Sequence, residues 1–105
     1  MKNARRGEVW LVDFGYTAKT RPAVIVSTPY RDDERALIAC VPHTTSTRGG
    51  RFELVIPAGY LETGAFDVQG LGHAKPTNLL YRLGVLNAGD LHRIEATIKQ
   101  WLELK

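Results

Sequence analysis

The stretch GEVWLVDF (7–14) alternates, with Val9, Leu11 and Asp13 on one face and Trp10, Val12 and Phe14 on the other. That period of two predicts a first strand, followed by a loop over GYTAKT (15–20). AVIVS (23–27) is apolar on both faces, which predicts a strand that is central or closes a barrel. After the charged turn TPYRDDER (28–35), ALIACVP (36–42) predicts a third strand that runs into the polar, Gly-terminated loop HTTSTRGG (43–50). RFELVIP (51–57) sets Phe52, Leu54 and Ile56 against Arg51, Glu53 and Val55, as a strand with one wet face would. AGYLETG (58–64) reads as a turn and AFDVQGL (65–71) as a shorter strand.

Residues 72–86 carry the weakest pattern, and a bend followed by a short strand or helical turn is expected there. The C-terminus is clearer. Asn87 is placed to cap a helix, with Asp90 three residues on. Leu91, Ile94, Ile98, Trp101 and Leu102 then recur at helical spacing. Short strands followed by one amphipathic helix predict a mainly β fold with α: a small β-barrel of five to seven strands with the helix packed on it. No repeat, linker or low-complexity tract divides residues 1–105, so a single domain is expected.

Composition narrows the class. The chain has 105 residues, 44% hydrophobic and 24% charged, the balance of a soluble globular protein and not of a disordered one. No apolar run approaches the ~20 residues that cross a bilayer, so no membrane partner is expected. The N-terminal MKNARRGEVW has charge without an apolar signal core, and Cys40 has no second cysteine to pair with. Both point to a reducing cytoplasm. The net charge of +3 is unevenly spread: residues 1–51 hold nine Lys/Arg against five Asp/Glu (+4), and residues 52–105 hold five against six (−1). An anion-binding face is therefore expected in the N-terminal half.

Several chemistries lack their residues. There is no P-loop, no Gly-rich dinucleotide fingerprint, no HExxH and no G-x-S-x-G elbow. The three histidines, at 43, 73 and 92, and the one cysteine lack zinc-finger spacing. Neither a metal nor an organic cofactor is expected.

What remains is a polar pair. Arg21 precedes Pro22 at the mouth of the second strand, and a residue before proline is pushed toward extended geometry, which makes its guanidinium a positioned group. Thr44 lies at the end of the third strand. If the two strands pair antiparallel, Arg21 and Thr44 meet at one end of the sheet. A guanidinium fork beside a hydroxyl can hold a phosphate, and can balance the charge of a pentacovalent one. The plainer alternatives are a salt bridge from Arg21 to Asp13 or Glu8, and Thr44, Thr45 and Ser46 satisfying backbone groups in a turn.

RGEVWLVDF, TRPAVIVSTP, CVPHTTS, FELVIP and FDVQ, in that order, resemble the successive motifs of the MazF/PemK-like toxins of bacterial toxin–antitoxin pairs over roughly residues 5–70. The C-terminal helix falls where that family has one. The resemblance implies a homodimeric, SH3-like barrel that cuts single-stranded RNA without metal at short motifs. It also implies a cognate antitoxin whose disordered tail blocks the RNA groove. The family's catalytic arginine and threonine fall on Arg21 and Thr44. RNA supplies its own nucleophile, the 2′-hydroxyl, so a 2′,3′-cyclic phosphate and a 5′-OH end are the expected products.

Candidates for RNA contact around that pair are Thr45, Ser46, Arg48, Arg51, Gln69, His73 and Lys75. Three features depart from the family pattern. The first loop is short, Val68 stands where some relatives place an acidic residue, and GLG (70–72) replaces a basic one. The general base is thus unassigned, with His43 and His73 as candidates. His43 alternates with Thr44 along the strand and is expected at the surface or an interface. The same barrel-plus-helix design occurs in toxins that inhibit DNA gyrase by protein contact, which would lean on the helix near Trp101. A relative that binds RNA without cutting it is a third reading.

Overall fold

The computed structural model describes residues 4–15 and 19–105; the middle of the expected first loop, residues 16–18, lies outside the described residues. Seven strands and one helix follow in the order β1 (Glu8–Asp13), β2 (Thr20–Ile25), β3 (Ile38–Thr44), β4 (Glu53–Leu54), β5 (Ala65–Asp67), β6 (Gly72–Ala74), β7 (Leu79–Val85) and α1 (Ala88–Leu102). Short 3-10 turns occupy Val68–Gly70 and Pro76–Asn78. The mainly β fold with a C-terminal helix matches the expectation. The strand path β4–β5–β3–β2–β1–β7 does not close on itself, and β6 is added alongside β3.

β2 lies at the middle of that path, antiparallel to β1 and β3, which accounts for its apolar character on both faces. Alternate residues serve two cores. Val9, Val24 and Val41 join Phe52, Ile56, Phe66, Val68, Leu86 and Ile94 in one cluster. Val12, Ala23, Ile25, Ile38, Cys40 and Leu79 form the other. Helix α1 covers the first. Its N-cap Asn87 accepts the Asp90 N–H at 2.8 Å, as the capping pattern predicts. Ile94 is fully buried, a contribution of about 1.5–3 kcal/mol for a side chain of that size. The apolar stripe runs out at its C-terminal end, where Trp101 is 39% exposed and leans on Phe52 with ring centroids 5.1 Å apart.

Three expected strands have other bounds. The second starts at Thr20, so Arg21 and Pro22 are strand residues. The fourth shrinks to Glu53–Leu54, although Phe52 and Ile56 are buried and Val55 is exposed, as the alternation requires. The fifth ends at Asp67, and the chain makes a 3-10 turn before resuming as β6. Both β5 and β6 pair with β3, β5 at His43–Thr44 and β6 at Ile38–Cys40. The interruption between them falls at Pro42, a residue with no N–H to offer a neighbouring strand. Gly70 in that turn lies so close to Pro42 that an added Cβ would stand 2.9 Å from its Cγ.

Candidate active site

The site opens at Pro22. β2 and β3 are paired through Ala23↔Pro42, Val24↔Val41 and Ile25↔Cys40, and the pairing stops where Pro22 would have to contribute. Beyond it β3 turns to β5, with His43 opposite Phe66 and Thr44 opposite Ala65, while β2 stays with β1, with Arg21 opposite Val12. A cleft of about 360 Å³ opens between the start of β2 and the end of β3. Arg21 and Thr44 each lie two residues beyond the last β2–β3 pair, Ala23↔Pro42, and so flank the point where the two strands part.

Thr20, Arg21 and Pro22 form one wall of the cleft, and His43 and Thr45 the other. Tyr60 and Glu62, from the turn before β5, and Leu11 and Leu83 complete it. Arg21 is half-buried. Thr44, between His43 and Thr45, is half-buried and does not itself line the cleft; its Oγ1 accepts the Ser46 N–H at 3.0 Å. That bond uses the hydroxyl as acceptor and leaves its own proton to donate. Leu83 reaches the cleft through a β-bulge: Val9 pairs with Gly84 and Trp10 with Arg82, so Leu83 is skipped and re-aimed.

His43 corrects an expectation. It is not a surface residue but is 4% exposed, with its ring edge against Phe66 at a centroid distance of 5.1 Å. Its side chain is fixed from a second direction by Gly64, where an added Cβ would fall 2.9 Å from His43 Cε1. Burial pulls the imidazole below its ordinary pKa, and the Glu62 carboxylate pulls it partly back. Tyr60 is raised above the usual phenol value by burial and by Asp90.

The two carboxylates named as plain partners for Arg21 make other contacts as well. Glu8 accepts from Trp10 Nε1 at 3.0 Å, from the Arg5 N–H at 2.9 Å and from Arg82 at 3.2 Å. Asp13 accepts the Gly15 N–H at 2.9 Å.

The remaining candidates divide by position. Thr45 and Ser46 follow Thr44 directly and are exposed. Arg48 and Arg51 stand on the exposed loop beyond, which Glu53 ties together by accepting the N–H groups of Arg48 (2.9 Å) and Gly49 (2.7 Å). The Arg51 guanidinium lies 4.5 Å over the Phe52 ring. Gln69 is exposed on the turn after β5. His73 is not brought to this corner: it pairs with Ala39, toward the opposite end of β3 from Thr44, a separation of about 17 Å at ~3.4 Å per residue. Lys75 lies with Tyr30, Arg35 and Leu37 on a separate groove. Sequence reasoning missed Tyr60 and Glu62, because a turn has no periodicity to show which way it faces. Among the described residues no three His, Cys, Asp or Glu side chains gather as a metal site. No described helix is long and apolar enough to cross a membrane.

An open seven-stranded sheet followed by one C-terminal helix is an architecture shared with a known family of toxins. The chain belongs to the PemK-like, MazF-like toxins of type II toxin–antitoxin systems, whose family model matches residues 5–102. Among solved structures it is similar to MazF in a MazE–MazF crystal structure from Deinococcus radiodurans, at 19% identity over 100% of both chains and a TM-score of 0.82. It is also similar to a mycobacterial endoribonuclease solved in complex with its cognate antitoxin, at 24% identity over 96% of both chains and a TM-score of 0.81. A third, the Mycobacterium tuberculosis toxin MazF-mt6, is 18% identical over 93% of this chain and 98% of its own, with a TM-score of 0.78. At these identities the likeness is one of fold. A comparison with curated protein sequences returned no significant match.

Proposed function

We propose that this toxin is an endoribonuclease that cuts single-stranded RNA, mRNA included, without a metal ion, leaving 2′,3′-cyclic phosphate and 5′-OH ends. The observation that carries the reading is the cleft where β2 and β3 part, lined by Arg21 from β2 and, at the end of β3, by His43 and Thr45, the neighbours of Thr44. In this reading the scissile phosphate sits between them. The RNA 2′-hydroxyl attacks in line, the Arg21 guanidinium balances charge on the phosphorane, and the Thr44 hydroxyl donates to a non-bridging oxygen. Each such aimed donor contributes roughly 3 kcal/mol to the transition state. Thr45, Ser46, Arg48 and Arg51 extend the contact surface along the exposed loop, with Gln69 beside it. His73 and Lys75, on other surfaces, take at most outlying contacts.

The partners in the similar structures, MazE and a cognate antitoxin, support a further part of the proposal: a cytoplasmic homodimer held inactive by its own antitoxin. The test of the activity is incubation with a long single-stranded RNA and its DNA counterpart in excess EDTA, with the fragment ends mapped. Discrete RNA fragments with cyclic-phosphate ends and intact DNA are expected. Intact RNA from folded protein would turn the reading to a toxin that acts by protein binding.

A further inference from the structure

The reading above leaves the proton of the 2′-hydroxyl without an acceptor. Arginine is a poor one, because its side chain stays protonated at any working pH. Thr44 has a proton to give and no basicity to take one. The cleft itself holds only a few groups that can exchange protons: His43 from β3, and Tyr60 and Glu62 from the turn before β5.

We propose that His43 is the general base of the cleft and that Glu62, lining the same cleft, is the carboxylate that faces the imidazolium it forms, a pair that rests on the ribonuclease reading. Three observations carry it. His43 and Glu62 line the same cleft as Arg21, so a phosphate held by Arg21 brings its ribose to them. The ring is held on two sides, by Phe66 edge-on and by Gly64, so it keeps one orientation. His43 is only 4% exposed and is nonetheless among the residues that line the cleft, so a phosphodiester held there meets it directly.

The groups facing His43 are few. β2 presents Arg21 and Pro22, the 58–64 turn presents Tyr60 and Glu62, and β1, β5 and β7 present Leu11, Phe66 and Leu83. Burial keeps the imidazole neutral near pH 7, the form that accepts a proton, while Glu62 favours the imidazolium that results. In the step, His43 takes the 2′ proton as the O2′–P bond forms and the P–O5′ bond breaks. The departing 5′-oxygen takes a proton from water, and the hydroxide left behind is neutralised by the imidazolium. Proton count and charge are then restored.

The experiment uses the full chain, a mixed-sequence single-stranded RNA and single-turnover rates at saturating protein across pH. For His43→Gln, a fall of about 10²–10⁴-fold at neutral pH is expected, with loss of the acid limb. Because that ring is buried, the melting temperature is measured alongside. Glu62→Gln, at an exposed position, should keep the fold and move the acid limb to lower pH, since it removes the group that raises His43. A purely structural role for either residue would leave the limb in place. A wild-type-like pH profile in Glu62→Gln, or a wild-type rate in folded His43→Gln, overturns the assignment and leaves the ribonuclease reading standing. Intact RNA with the wild-type protein overturns both.

Discussion

Gly64 lies against Thr44 so closely that a Cβ added to it would fall 2.1 Å from the Thr44 carbonyl oxygen. The contact comes one residue before β5 takes up its pairing with Thr44 through Ala65. The obstacle is backbone, which cannot swing aside as a long side chain would. Gly64→Ala must therefore push the turn away from the end of β3. A loss of about 1–3 kcal/mol is expected from such overpacking, read as a lower melting temperature. RNA cleavage should fall at least tenfold (~1.4 kcal/mol) at temperatures where the variant is still folded. Full cleavage by folded Gly64→Ala would show that Thr44 needs no such placement.

A second glycine supports the opposite wall. The Tyr60 ring sits on Gly84, where an added Cβ would meet Cε1 at 2.2 Å. Here the neighbour is a half-buried side chain that can move, so Gly84→Ala should displace Tyr60 and reshape the cleft. Tyr60→Ala removes the same wall. The two substitutions should therefore be non-additive in cleavage rate, with a coupling of about 0.5–3 kcal/mol in a double-mutant cycle. Simple additivity would place Tyr60 outside the working surface.

Glu8 predicts a pH dependence of stability. Its burial alone would raise its pKa, but the hydrogen bonds from Trp10, Arg5 and Arg82 and the Arg82 charge outweigh that and hold it below the ordinary value of 4.5. A carboxylate depressed in the folded state stabilises the fold above its unfolded pKa and loses that contribution as pH falls through the folded one. The wild type should lose stability as the pH drops below 4.5, and Glu8→Gln should lose less over the same range. At neutral pH the variant should be less stable by roughly 1–3 kcal/mol, since charge-assisted bonds are replaced by weaker ones. Chemical denaturation at several pH values measures both. Parallel pH curves for the two proteins would remove Glu8 as the cause.

Arg48 and Arg51 are expected to act on binding more than on the chemical step. Each is exposed on the loop after Thr44 and can meet a phosphate. Replacing either with Ala should weaken RNA binding and lower the magnitude of the salt slope by about 0.7, the value for one single-strand phosphate contact. Filter binding of a noncleavable RNA analogue over a salt series measures it. An unchanged slope would make both arginines solvated bystanders.

The sequence revealed the corner because Pro22 and the polar run after Val41 are local signals. The fixed geometry before a proline and the end of an apolar run need no knowledge of distant neighbours. The helix was legible for the same reason, since its cap and its period are local. The splitting of β5 from β6 was not: it depends on Pro42, which reads as an ordinary strand residue until a second strand must pair with it. His43 was misplaced because simple alternation sent it outward. β3 in fact leaves β2 for β5 at that residue, and the curl covers the ring with Phe66 and Gly64. Tyr60, Glu62 and Leu83 came to the cleft through a turn and a bulge, neither of which has a period to read.

The most direct test compares Arg21→Ala with the wild type on one single-stranded RNA in excess EDTA, with the melting temperature recorded for each. The cleft at Pro22 as a ribonuclease site predicts a fall of about 10²–10³-fold in cleavage rate with an essentially unchanged fold. Cleavage by Arg21→Ala at the wild-type rate would contradict it.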